Sequence, residues 1–194
     1  TTGPMNFLVL GFVTGLTAGF AVIVAQRFGA KDENGLKRSV AMNIILNVVS
    51  SVVITIISLI TVNPILKLIN TPESIFANAS KYISIIYIGI SAIVLYNGTA
   101  CILRALGDSK SPLFFLMISA VLNIILDILF IATFDMGVAG AAWATVISQA
   151  FSGISSLIYM IIRYPILKTR KKDYEWDSWF AWQHLRIGLP MALQ

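Results

Sequence analysis

Ser111–Phe134 reads SPLFFLMISAVLNIILDILFIATF, and these 24 residues decide what kind of protein this is. The stretch is apolar almost throughout. It holds one carboxylate, Asp127, and one amide four residues earlier, Asn123. About 20 residues at 1.5 Å rise cross a hydrocarbon core, so the stretch is long enough to span a bilayer. A carboxylate near the middle of such a helix costs roughly 2.5–3.5 kcal/mol on insertion scales. Groups placed there face a cavity or a partner rather than lipid, and they mark ion and substrate pathways. The stretch therefore points to a protein that moves ions or solutes, with Asp127 as the group that senses the ion.

Composition extends that reading to the whole chain. Of 194 residues 57% are hydrophobic and only 12% charged, with a mean hydropathy of +0.84. Soluble domains carry about 25% charged residues. Four further blocks, Met5–Gln26, Ser39–Thr61, Tyr82–Leu103 and Met136–Ile162, contain no Lys, Arg, Asp or Glu. Each is long enough to span, and in lipid a backbone that must satisfy itself makes helices. The expected fold is all-α: a polytopic bundle of five complete spans, with Ile187–Gln194 starting a sixth. Thr1 opens the chain in place of Met, without a signal peptide, and Gln194 breaks off inside an apolar run, so a longer protein is expected.

Charge sets the orientation. The net charge is +5, yet the basic residues lie in connections between apolar blocks, so the partner is the lipid bilayer and no nucleic acid. Twelve of the fourteen Lys and Arg fall in alternate connections. Those connections are cytoplasmic by the positive-inside rule, and Ser111–Phe134 runs from inside to outside. Cys101 is alone and His184 is the one histidine. There is no HExxH, no Asp or His cluster and no convincing Ser–Lys pair, so an enzyme is not expected.

The connections carry their own signals. Gly11, Gly15 and Gly19 form a GxxxGxxxG row for close helix approach. Asn43 and Asn47 are spaced for interhelical hydrogen bonds. Pro64 and Pro72 break Val62–Ser80 into a short outer loop, with a helix start at Thr71-Pro72-Glu73. Gly107-Asp108 suits a tight cytoplasmic turn. Residues 163–186 read as a basic linker whose Trp176, Trp179 and Trp182, at i, i+3 and i+6, line one side of an interfacial helix.

Depth can be counted from the outer turn at Met136. Asp127 lies nine residues before it and Thr145 nine after; Asn123 lies thirteen before and Gln149 thirteen after. With equal rise along an antiparallel pair, Asp127 comes level with Thr145 and Asn123 with Gln149, roughly 13 Å below the turn. Carboxylate, amide and hydroxyl oxygens suit Na⁺, and a desolvated carboxyl suits a proton. Small residues at Gly140 and Ala141 leave room for a backbone carbonyl in the shell. The alternative is a hydrogen-bond cluster that ties the two helices together.

RALGDSKSP before the span, NIILDILFI within it and MGVAGAAWATVISQ after it closely resemble the multidrug and toxic compound extrusion (MATE) transporters. VAQRFGAKD and the second proline-bearing start IGLPMALQ agree. The resemblance implies twelve helices in two six-helix lobes. Residues 1–162 would be the amino-terminal lobe without its first helix, 163–186 the cytoplasmic linker, and 187–194 the start of the second lobe. It further implies a monomeric antiporter in a prokaryotic inner membrane, exporting small cationic or amphipathic organic molecules in exchange for Na⁺ or H⁺ without other cofactors. The implied cation site comprises Asp127, Asn123 and Thr145, with the Ala141 carbonyl as a further ligand and Asn97 joined to the network. The family's partner acid lies on the helix that precedes this chain. The alternative functions are a lipid-linked oligosaccharide flippase of related architecture and, last, an intramembrane enzyme.

Overall fold

The computed structural model describes residues 3–193. Thr1, Thr2 and Gln194, at the ends of the expected lobe and of the expected sixth span, lie outside them. Seven α-helices follow in order: α1 (Gly3–Gly29), α2 (Glu33–Leu68), α3 (Glu73–Ile88), α4 (Ile90–Ala105), α5 (Lys110–Asp127), α6 (Gly137–Arg163) and α7 (Ser178–Ala192). A π-helical segment, Ile128–Thr133, continues α5 to the outer turn. Four helices are long and apolar enough to cross a membrane, and a fifth span results when the bent pair α3–α4 is taken as one. The protein is a multi-pass integral membrane protein of all-α class.

Helix α4 lies at the centre, with α1, α2 and α6 packed around it. An outer core joins Val13, Leu66, Ile83, Tyr87 and Ile90, and an inner core joins Val24, Leu36, Val40, Leu103 and Met160. Helix α5 packs chiefly on α6 and buries only Pro112 and Ser119 along its length. Elsewhere the helix is half-buried or exposed, and Phe114, Met117, Val121 and Ile124 are each more than half exposed.

Three elements differ from the sequence reading. The block Tyr82–Leu103 is not one straight span: it bends by 43° at Gly89 between α3 and α4. A Cβ at Gly89 would press into the side chain of Val146 on α6, so the bend is shaped by a tertiary contact. Second, α2 does not stop at Thr61. It runs through Pro64 to Leu68, and the outer connection shrinks to a few residues around Asn70, which adopts positive φ. Pro64 removes one rung of the ladder, the bond to the Ile60 carbonyl, and the helix continues for about one turn beyond it.

The third difference concerns the tryptophans. Asp177 caps α7, its Oδ1 accepting the backbone N–H of Trp179 at 2.9 Å and of Phe180 at 3.1 Å. Trp176 therefore precedes the helix and only Trp179 and Trp182 ride on it. All three are exposed, at 60%, 66% and 57%. The same helix then continues without a break past Arg186 to Ala192, so linker end and span start are one element.

Candidate functional site

The α5–α6 hairpin positions the polar groups of the membrane interior. At its cytoplasmic end the chain reverses through Gly107, whose φ of +88° suits glycine. Asp108 N–H donates to the Leu103 carbonyl at 2.9 Å and Gly107 N–H to the Arg104 carbonyl at 3.0 Å, which closes α4. At the outer end the π segment follows Asp127 directly, and Phe134 N–H reaches back five residues to the Leu129 carbonyl. Asp135 and Gly137, both at positive φ, then turn the chain into α6.

The pairing across the seam is fixed by three contacts. Ser119 Oγ donates to the Ser148 carbonyl at 2.8 Å. Asn123 Nδ2 approaches Thr145 Oγ1 at 3.5 Å, a long hydrogen bond. A Cβ on Gly140 would lie against Phe130. Carried one turn further, this register brings Asp127 level with the turn around Ala141. The expected tiers are thus displaced by about one helical turn: Thr145 meets Asn123, not Asp127, and Gln149 has no hydrogen bond to Asn123 among the described residues. The equal-rise count fails because the π segment and the turn residues up to Met136 both lie on the α5 side, so that arm spends more residues than α6 to reach the same depth.

Asp127, Asn123, Thr145 and Ala141 therefore occupy one seam, each half-buried. Thr145 Oγ1 donates to the Ala141 carbonyl at 3.0 Å, which orients its lone pairs away from α6. One oxygen of Asp127, Oδ1, is shut away from solvent with no hydrogen-bond partner. A buried carboxylate oxygen left unpaired is costly unless something binds it. The donor set is all oxygen plus one amide, suited to a hard cation or a proton. Asn97 is half-buried on α4 and makes no hydrogen bond to this cluster among the described residues.

The glycine row divides. A Cβ at Gly15 would collide with the Met191 carbonyl, and one at Gly19 with Gly188 Cα, so these two seat α1 on α7 backbone to backbone. Gly11 meets nothing within 4 Å.

Sequence reasoning missed one cluster. At the cytoplasmic end Asp108 Oδ2 accepts hydrogen bonds from the hydroxyls of Tyr159 and Tyr164, both at 3.2 Å, while Oδ1 accepts Ser111 N–H at 3.0 Å. Burial pushes the Asp108 carboxyl up, but these hydrogen bonds outweigh it and hold it below its ordinary value. The available signal was two tyrosines five residues apart at the end of the last full span, level with an acidic turn.

The comparisons with known proteins agree on one relationship. The family model described as MatE matches residues 2–129. The chain is 34% identical over 186 residues to "Probable multidrug resistance protein YpnP" of Bacillus subtilis (strain 168), covering 96% of this chain and 41% of that protein. It is 31% identical over 197 residues to "Probable multidrug resistance protein YoeA" of the same organism, covering 98% and 42%. Among solved structures, the inward-facing conformation of a multidrug resistance MATE family transporter of the MOP superfamily superposes with a TM-score of 0.90 at 26% identity, covering 99% of this chain and 44% of that one. The chain spans about two fifths of the length of the curated relatives it matches.

Proposed function

The chain belongs to the MatE family of MATE transporters, and from that premise we propose that it forms most of the first lobe of a cation-coupled multidrug exporter. In this reading Asp127 binds the coupling ion, Na⁺ or H⁺, with Asn123, Thr145 and the Ala141 carbonyl completing its near side. Asn97 and Gln149 stand as outlying polar members. The transported molecule is a small organic cation or amphipath, and the working unit is a monomer.

The observation that carries the proposal is the unpartnered, solvent-shielded Oδ1 of Asp127 in an apolar helix. A purely structural tie between α5 and α6 would use an amide, as Asn123 does, since a carboxylate adds insertion cost without adding a donor. Thr145 supports the same reading. Its hydroxyl proton is given to Ala141, so its oxygen is left to accept from Asn123 or to ligate a cation. Ion binding that favours one lobe conformation would weaken the hold on substrate, which is linkage between two sites.

The bare apolar face of α5 fits a further helix of the same lobe, where the family carries its second acid. The proposal is tested by efflux of a fluorescent organic cation from cells expressing the complete transporter. Asp127→Asn is expected to abolish coupled efflux at unchanged membrane abundance. Export at the wild-type rate by that variant would sink the assignment.

A further inference from the structure

A cavity of about 400 Å³ lies between α2, α4 and α6, away from the Asp127 seam. None of the residues of the Asp127 seam lines it. It owes its existence to the bend at Gly89. Helix α3 leans over α6 and α2 in the outer half, while below it α2 and α6 stand apart and α4 alone forms the back wall. The mouth is framed by Val48 and Val52, both more than half exposed on the bilayer-facing side of α2.

The walls are apolar and carry no charged residue, but the floor is polar. Asn43 and Asn47 are both more than nine-tenths buried there. Asn47 Nδ2 donates to Asn43 Oδ1 at 2.7 Å, and Gly98 on α4 leaves the space Asn47 fills. That bond satisfies half of each amide. Asn43 Nδ2 and Asn47 Oδ1 remain without a partner. The Ser51 and Thr99 hydroxyls give their protons to the Val48 carbonyl at 2.9 Å and the Leu95 carbonyl at 2.8 Å, so neither donates to Asn47 Oδ1, and neither oxygen accepts from Asn43 Nδ2. One donor and one acceptor, both unpaired, thus belong to residues that line an apolar cavity within the size range of small-molecule sites. Both atoms are shielded from solvent, but the terminal torsion of asparagine is soft, and a ligand that offers both bonds recovers the cost of burying them unpaired.

We propose that this cavity is a binding site for an uncharged, apolar small molecule bearing an amide, entered sideways from the inner leaflet. The amide carbonyl takes Asn43 Nδ2, the amide N–H gives to Asn47 Oδ1, and the hydrocarbon part fills the walls. The absence of charge in the lining does not suit an organic cation, the class proposed for the transported molecule. This inference does not rest on the coupling role of Asp127.

The experiment uses the complete protein in nanodiscs and two photoreactive diazirine probes of matched shape, an N-butylbenzamide and its pentylbenzene counterpart. Labelled peptides are mapped by mass spectrometry. In the wild type the amide is expected to label segments 43–52 and 91–102 saturably, at a half-saturating concentration about tenfold below that of the hydrocarbon, the scale of one or two net hydrogen bonds. Asn43→Leu combined with Asn47→Leu replaces both members of the bonded pair, a change that leaves no orphaned group, and should erase the preference. Ser91→Phe, at the exposed rim, should block labelling by either probe without touching the core. Equal labelling by the two probes in the wild type would make the cavity a slot for lipid tails and overturn the proposal. So would a preference that survives in the double leucine variant or saturable labelling in Ser91→Phe. Asp127→Asn should leave the amide preference unchanged; loss of the preference there would assign the probe to the other site and equally overturn it.

Discussion

Asp108 and Asp127 are both carboxylates of the α5 region, and their surroundings give them opposite roles. Asp108 accepts three hydrogen bonds at the cytoplasmic turn, from Ser111 N–H and the hydroxyls of Tyr159 and Tyr164. It is satisfied, and it fastens the α4–α5 turn to the end of α6. Asp108→Ala is expected to lower stability by about 1–2 kcal/mol, the worth of a lost cap and its side-chain bonds, read as a drop in the thermal unfolding midpoint. The pH sign follows from the lowered carboxyl. A group whose folded-state pKa is depressed contributes stability that is present above its ordinary value and is lost as pH falls through the folded value. The wild type should therefore lose more stability than Asp108→Ala on acidification below the ordinary carboxylate range, and equal losses would contradict the clasp. Asp127, by contrast, has a buried oxygen without a hydrogen-bond partner among the described residues. That difference was half legible in sequence. A charge inside a membrane-length apolar run announces itself, as do Asn123 and Thr145 at helical spacing. The tyrosine clasp was invisible because Tyr159 and Tyr164 read as ordinary interfacial aromatics until the fold brings Asp108 beneath them.

At the scale of elements, the apolar blocks located every membrane helix, since length and the absence of charge are properties of the chain itself. What they did not give were the departures from ideal helices. Gly89 lies inside a charge-free run, and the bend there sits against Val146, a residue 57 positions away that the sequence cannot place. The π segment after Asp127 is likewise silent in composition, and together with the turn that follows it displaces the seam register from the equal-rise count. If Val146 shapes the bend, Gly89→Ala should destabilise by about 1–3 kcal/mol through overpacking, and Val146→Ala should relieve most of that cost. A thermodynamic cycle measures the coupling. Additive effects of the two substitutions would show that the wedge plays no part.

For the whole molecule, the important geometry is that two joints of different chemistry flank α4. On one side α1 meets α7 through Gly15, Gly19 and Gly188, backbone against backbone, with Phe20 beneath Gly188. That joint is braced by Arg38, which bonds Asp177 at 2.6 Å and lies 5.2 Å from the Phe180 ring centre. On the other side α5 and α6 form a polar seam whose outward half holds Asp127. In the function proposed above, the lobe would move against its neighbour at the smooth joint as Asp127 changes occupancy. The central claim is that occupancy of Asp127 drives this motion. Its most direct test is the complete transporter in proteoliposomes, with an imposed Na⁺ or proton gradient and a fluorescent organic cation followed in time. The account predicts that at least one gradient drives accumulation in the wild type and that neither does so in Asp127→Asn. Accumulation by Asp127→Asn at the wild-type rate, or none in the wild type under either gradient, would contradict it.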